Sequence, residues 1–322
     1  MLSIFFRKKR AGVNSIETVF NSINKLLVDH VDIILPLEGA SPKVLLKNII
    51  YSYQHSGKIN HVSGDVHYAV LGTGYRSLLT IHDVGSAFTG GWLKRFYVKL
   101  FWFWLPTLIA KRISVISDVT YKDVLILCPW VKKKISVIPD PYNISFEGSE
   151  KIDINKRPRI LHIGTKVNKN LERTIEALTG FECELIIIGK LTNNQITKLN
   201  DSGLIYKNKY DIPLEELTNE YRKCDIVSFP STFEGFGMPI IEAQAAMRPV
   251  LAGDISVLRN VAGNEGALFV NPYDVNSIKQ GFSRLINDNI LRKKLVETGR
   301  NNIKRFHPSH IAKMYNNLYN EL

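Results

Sequence analysis

The chain has 322 residues, 45% hydrophobic and 22% charged, more than one hydrophobic core ordinarily holds, which predicts two globular domains. No apolar run approaches the ~20 residues of a membrane-spanning helix, and Cys128, Cys183 and Cys224 are too widely spaced for a zinc site or a disulfide framework, so they read as buried thiols. The net charge of +12 favours an anionic partner, but the basic residues lie in scattered clusters (Arg7 to Arg10, Lys94-Arg95, Lys111-Arg112, Lys132 to Lys134) without a nucleic-acid motif, so nucleic acid is not the expected one.

The N-terminus runs from Met1 to Phe6 and turns basic at once, the wrong order for a signal peptide, so the chain is expected in the cytoplasm. Gly12 precedes Asn14 and Glu17, which have capping-box spacing; this is a helix start and a place where backbone amides can meet phosphate. Short aliphatic runs then alternate with helical patterns, at 31–35, 78–81, 113–116, 135–138, 160–163, 185–188, 226–229 and 250–251. Such alternation predicts an α/β protein of βα units with buried parallel strands.

The run ending at Ile81 is followed by His82, and a histidine at a strand exit is either structural or functional. Residues 91–104 mix Trp92, Phe96, Tyr97, Phe101, Trp102, Phe103 and Trp104 with Lys94, Arg95 and Lys99, which fits a surface helix meeting anionic lipid or a helix packing its rings inward. The polar stretch 143–158 reads as a linker between domains spanning 1–142 and 159–306. Two doubly wound halves would place a ligand between the carboxyl ends of their strands. The strand 160–163 ends in Gly164 and Thr165, and Lys169 and Asn170 precede a helical pattern from Leu171 to Leu178, a reasonable phosphate cradle.

Glu234, Gly235, Phe236, Gly237, Met238, Pro239 and onward to Glu242 is the most informative stretch. Proline suits a first helical position, so a helix is expected from Pro239 to Met247, with the amides of Gly235 to Met238 at its positive end and Glu242 in its first turn. Carboxylates accept two hydrogen bonds at once, so Glu234 and Glu242 suit vicinal hydroxyls. Segments 274–287, 289–304 and 308–321 are helical by periodicity, and the last, 307–322, is expected to pack back toward the N-terminal domain.

Together these residues resemble the retaining GT-B glycosyltransferases of family GT4, the glycosyltransferase group 1: the Glu-x7-Glu string of Glu234 to Glu242 after Pro230-Ser231, Gly164 with Lys169-Asn170, Thr80 to Asp83, and Ile116 to Thr120. The likeness spans nearly the whole chain, weakest in the first 75 residues. It implies two Rossmann-like domains facing a central cleft, the N-terminal one binding acceptor. It implies that Glu242 holds the ribose, that Glu234 and residues 235–238 hold the donor sugar, and that Lys169 neutralises the diphosphate. His82 would contact the transferred sugar, Gly12 the diphosphate and Tyr210 the base. Gly164 and Thr165 would form the phosphate turn, and where many members carry arginine this chain has Thr165, leaving a second cation missing or supplied by Lys166.

The implied reaction transfers a hexose from a nucleotide-diphosphate sugar to a glycan or lipid-linked acceptor, in surface polysaccharide synthesis, free in the cytoplasm or peripheral at the inner face of the plasma membrane. His82, Lys169 and Glu234 would be the catalytic residues. With no Asp-x-Asp triplet, no metal and no further cofactor are expected. A non-catalytic nucleotide-sugar-binding subunit, or an epimerase or hydrolase of the same fold, remains open.

Overall fold

The computed structural model describes residues 1–8, 15–144, 153, 154 and 156–322, so 145–152 and 155 of the expected linker lie outside it. The chain forms two units, Met1–Pro141 with His307–Leu322, and Tyr142–Phe306.

The first unit carries a parallel sheet of β1 (Leu2–Phe6), β2 (His30–Ile34), β3 (Ile59–Val62), β4 (Ser77–Ile81), β5 (Arg112–Val115) and β6 (Ile135–Val137), in the order β2-β1-β3-β4-β5-β6. Its central strands are covered on both faces: Phe5, Val62, Leu79, Ile81, Ile113 and Val115 are fully buried, the condition that makes parallel strands read as continuous apolar runs. The helix Pro308–Asn320 belongs to this unit and buries Ile311, Tyr315 and Tyr319. Tyr319 also meets His61 of β3, whose Nδ1 lies 2.7 Å from the Tyr319 hydroxyl and whose Nε2 lies 2.7 Å from Thr80 Oγ1.

The second unit repeats the architecture with β7 (Arg159–Ile163), β8 (Glu184–Ile188), β9 (Ile205–Lys209), β10 (Ile226–Phe229), β11 (Val250–Gly253) and β12 (Leu268–Val270), all parallel in the order β12-β11-β10-β7-β8-β9. Chain order reverses between β7 and β10, as it does between β1 and β3 in the first sheet. At such a reversal the loops leaving the two strands diverge to opposite faces, opening a crevice at their carboxyl ends.

The aliphatic runs named from sequence all fall on or overlap strands, but β1, β3, β9 and β12 were not among them. β3 reads Ile-Asn-His-Val and hides two polar side chains that only tertiary partners satisfy. β9 is an edge strand of alternating polar residues, and β12 is three residues long.

Candidate functional site

The loops leaving β7 and β10 lie side by side and are stitched together. Asn168 Nδ2 donates to Phe233 O at 2.9 Å, and Thr232 N donates to Asn168 O at 2.9 Å. Asn170, in the left-handed region at φ 65°, donates from Nδ2 to Pro230 O and Pro272 O at 2.9 and 2.6 Å. Gly164 sits at φ +94°, and a Cβ there would come within 2.7 Å of Lys169 Cγ. Glycine therefore lets the Lys169 stem fold back over the strand exit. The ammonium reaches Glu234 Oε1 at 2.6 Å and stands 4.7 Å from the centroid of the Phe229 ring. The cation and the carboxylate named separately from sequence thus form one pair at the reversal of the second sheet.

Gly237, at φ +115°, precedes a helix from Met238 to Ala245. The helix starts one residue before the expected Pro239 and ends before Met247, which is left-handed at φ 54°. A Cβ at 237 would also meet Leu258 Cδ2 at 2.7 Å, so that the leucine would have to shift. Phe236 is buried edge-on against Phe306, ring centroids 5.8 Å apart, which leaves its backbone as the part available to a ligand.

Glu242 departs from expectation: it lies beyond the first turn and is buried, accepting a hydrogen bond from Tyr221 Oη at 2.6 Å. Burial pushes its carboxyl up to about 7, against the opposing pull of the Tyr221 hydrogen bond and the Lys169 charge. Tyr221, far away in sequence and without any local signal, is thus a site residue that sequence reading missed. His162 on β7 is another buried neighbour: burial, with the Lys169 charge acting in the same direction, lowers it to about 3, so it is neutral.

Thr165 does not point a free hydroxyl at a ligand. Its Oγ1 donates to Lys190 O at 2.6 Å and its carbonyl accepts from Gln195 Nε2 at 2.8 Å. Lys166 beside it is exposed. Tyr210, just past β9, is 55% exposed. Gly12 lies outside the described residues.

In the first unit, His82 follows β4 and is held from two sides. Its Nε2 lies 3.1 Å from Ser63 O, a carbonyl that can only accept, which assigns the proton to Nε2. Its Nδ1 lies 4.0 Å from Asp140 Oδ2. Gly64, at φ +106°, lets the backbone close over the ring, because a Cβ there would meet His82 Cδ2 at 2.4 Å. Asp140 is buried and its carboxyl is raised by that burial, an effect the His82 charge opposes. Among the described residues, no group of three or more His, Cys, Asp or Glu side chains could hold a metal ion.

Comparison with known proteins finds a family model, relatives and solved structures that this chain is similar to. Residues 146–302 match the family described as glycosyl transferases group 1. The O-antigen chain mannosyltransferase RfbU of Salmonella typhimurium is 30% identical over 210 residues, 62% of this chain and 58% of that protein. The capsular polysaccharide biosynthesis glycosyltransferase CapM of Staphylococcus aureus is 26% identical over 151 residues, 44% of this chain and 40% of that protein. The chain therefore spans about half the length of these curated relatives. Anabaena HepE, solved in complex with UDP-glucose, superposes with a TM-score of 0.80 over 99% of this chain and all of its own, at 14% identity. That likeness, with the two parallel six-stranded sheets, shows the GT-B fold.

Proposed function

We propose, from the match of residues 146–302 to the group 1 glycosyltransferases, that this chain belongs to that family and is a retaining enzyme. It moves a hexose from a nucleotide-diphosphate donor to an acceptor hydroxyl during synthesis of a surface polysaccharide. The observation that carries this reading is the Lys169–Glu234 pair at the carboxyl ends of β7 and β10, with Glu242 deeper in the adjoining helix. The names of the O-antigen and capsule relatives and the UDP-glucose complex of HepE support it.

In this reading the donor diphosphate takes over the Lys169 ammonium, and Glu234, released from its ion pair, accepts hydrogen bonds from sugar hydroxyls. Glu242 holds the ribose. Cleavage of the bond from the anomeric carbon to the diphosphate sends the electron pair to a phosphate oxygen, where negative charge grows. Lys169 and the start of the Met238–Ala245 helix are preorganised to meet that charge. The acceptor oxygen attacks the anomeric carbon from the same face, and its proton passes to the departing diphosphate. No protein nucleophile and no metal enter the scheme.

A non-catalytic reading has one observation in its favour: Thr165, in the position where many members carry arginine, turns its hydroxyl to a backbone carbonyl. The experiment that separates the two is a thermal-shift screen with UDP-, GDP- and ADP-hexoses, followed by product analysis of the donor that binds. A ligand confined to the folded state raises its stability. Stabilisation with transfer and an unchanged anomeric configuration is expected; stabilisation without transfer or hydrolysis would establish the binding subunit, and a single inverted product would remove the retaining mechanism.

A further inference from the structure

The two sheets end in four edge strands, β2, β6, β9 and β12, and these are guarded unequally. An edge strand offers unpaired N–H and C=O groups to any other strand, and proteins blunt such edges with charge, above all lysine, or by keeping them very short. β9 follows the first rule: it reads Ile-Tyr-Lys-Asn-Lys, with Lys207 paired to Glu184 at 2.7 Å and Lys209 to Glu216 and Glu220. β6 and β12 follow the second, at three residues each. β2 follows neither. It reads His-Val-Asp-Ile-Ile, with no lysine, arginine or proline, and Val31 and Ile34 are 38% and 48% exposed. Leu26 and Val28, just ahead of it, are exposed apolar residues as well. Among the described residues, no strand pairs with the outer side of β2.

The pairing with β1 fixes which backbone groups face outward. Leu35 N donates to Phe6 O, and N–H direction alternates along a strand. The amides of Val31 and Ile33 therefore turn toward β1, and those of His30, Asp32 and Ile34 turn outward. Two copies of this row can pair antiparallel about a two-fold axis at Val31 or at Asp32. With the axis at Val31, His30 stands opposite Asp32 of the second copy, twice over by symmetry, and valine meets valine. Ile34 of each copy then falls beside Val28 of the other. With the axis at Asp32, two aspartates face each other. A histidine opposite a carboxylate is favourable across a ladder and like charges are not, so charge selects the first register. It also selects a second copy as the occupant, because this one strand carries both members of the pair.

We propose that the chain forms a two-fold dimer through β2, antiparallel and centred on Val31, joining the first-unit sheets of two copies into one. The same patch serves both copies, so association closes at two. Five residues a side, flanked by Leu26 and Val28, make a small interface, and the dimer is accordingly weak. Nothing in this inference depends on the transferase reading.

Sedimentation equilibrium of the full chain is expected to show the mass rising from one copy toward two between about 1 and 100 µM. Asp32→Lys sets a cation opposite His30 and is expected to weaken association about tenfold. Adding His30→Glu to that variant restores an opposite-charge pair across the axis and is expected to restore association. Thermal unfolding shows that each variant, changed at a strand surface, remains folded. Val31→Cys reads the register: the Val31 pair is a non-hydrogen-bonded one, where Cα atoms stand about 4.5 Å apart, within reach of a disulfide. Cys128, Cys183 and Cys224 are buried and do not compete. Mild oxidation is expected to link Val31→Cys into a covalent dimer and to leave Ile205→Cys, on the lysine-guarded edge of β9, monomeric. A chain still monomeric at about 100 µM would overturn the proposal and leave the edge to a strand of another protein. Association that Asp32→Lys does not weaken, or cross-linking no faster through Val31→Cys than through Ile205→Cys, would overturn it by placing the contact elsewhere.

Discussion

A buried carboxylate with one hydroxyl partner is an electrostatic liability, and Glu242 carries it inside the candidate donor site. Its proton is held up to about 7 in the folded protein, whereas the ordinary carboxyl value is 4.5. Between those values the native state binds more protons than the unfolded chain, so stability falls as pH rises through the window and levels off above about 7. At about 1.4 kcal/mol per pH unit the full effect is of order 3 kcal/mol. Glu242→Gln keeps an acceptor for Tyr221 Oη and has no charge to bury. Its melting temperature is expected to lose this fall between pH 5 and 8, and a wild-type curve parallel to that of the variant would refute the assignment. Asp140 acts more locally. At 4.0 Å from His82 Nδ1 it is too far for a hydrogen bond, and a charge on it acts on the ring through space. Asp140→Asn keeps the shape and removes the charge; kcat is expected to fall about tenfold or more at unchanged donor KM, as for a misplaced reacting group. Steady-state kinetics decide it, and wild-type turnover would make Asp140 a packing residue.

At the scale of elements, the turn from β7 into the helix Leu171–Leu178 brings a lysine at a strand exit to the carboxylate of Glu234. Gly164 contributes a backbone conformation that L residues avoid and an empty space that the Lys169 stem fills. Gly164→Ala is expected to cost about 1–3 kcal/mol of stability from backbone strain and to push Lys169 away from Glu234. Donor affinity should drop with it in a titration, and an unchanged dissociation constant would separate Lys169 from the diphosphate. This turn was legible in sequence because strand, glycine, lysine and helix follow one another within a few residues. The helix after Gly237 was legible for the same reason. The pairing of Lys169 with Glu234 was not, because 65 residues separate them and the β7·β10 pairing brings their loops together. Tyr221 was hidden too: a tyrosine in the amphipathic helix Leu214–Lys223 looks like any core residue until Glu242 is seen to need a donor. β3 escaped notice because the polar atoms of His61 are satisfied by Tyr319, 258 residues away.

That contact between β3 and the last helix governs the molecule as a whole, since the chain returns at His307 to complete the unit it left at Pro141. Tyr315 lies 5.7 Å from Phe20 and 5.3 Å from His61, ring centroid to ring centroid, and the Tyr319 hydroxyl closes the His61 network with Thr80 and Ser114. Burial lowers His61 to about 3, so its ring stays neutral at physiological pH, one nitrogen donating and the other accepting. Tyr319→Phe removes one partner from this network and is expected to cost about 1–3 kcal/mol, the penalty for a buried polar atom left unpaired. Deleting residues 307–322 removes the whole face and should unfold the first unit first. The second unit keeps its own sheet, its Lys169–Glu234 pair and the Tyr221–Glu242 bond, all formed within residues 142–306. Calorimetric scans of the truncated chain are therefore expected to show one early transition that nucleotide sugar leaves in place and one later transition that it raises. A single transition shifted as a whole by the donor would show that the two units unfold as one.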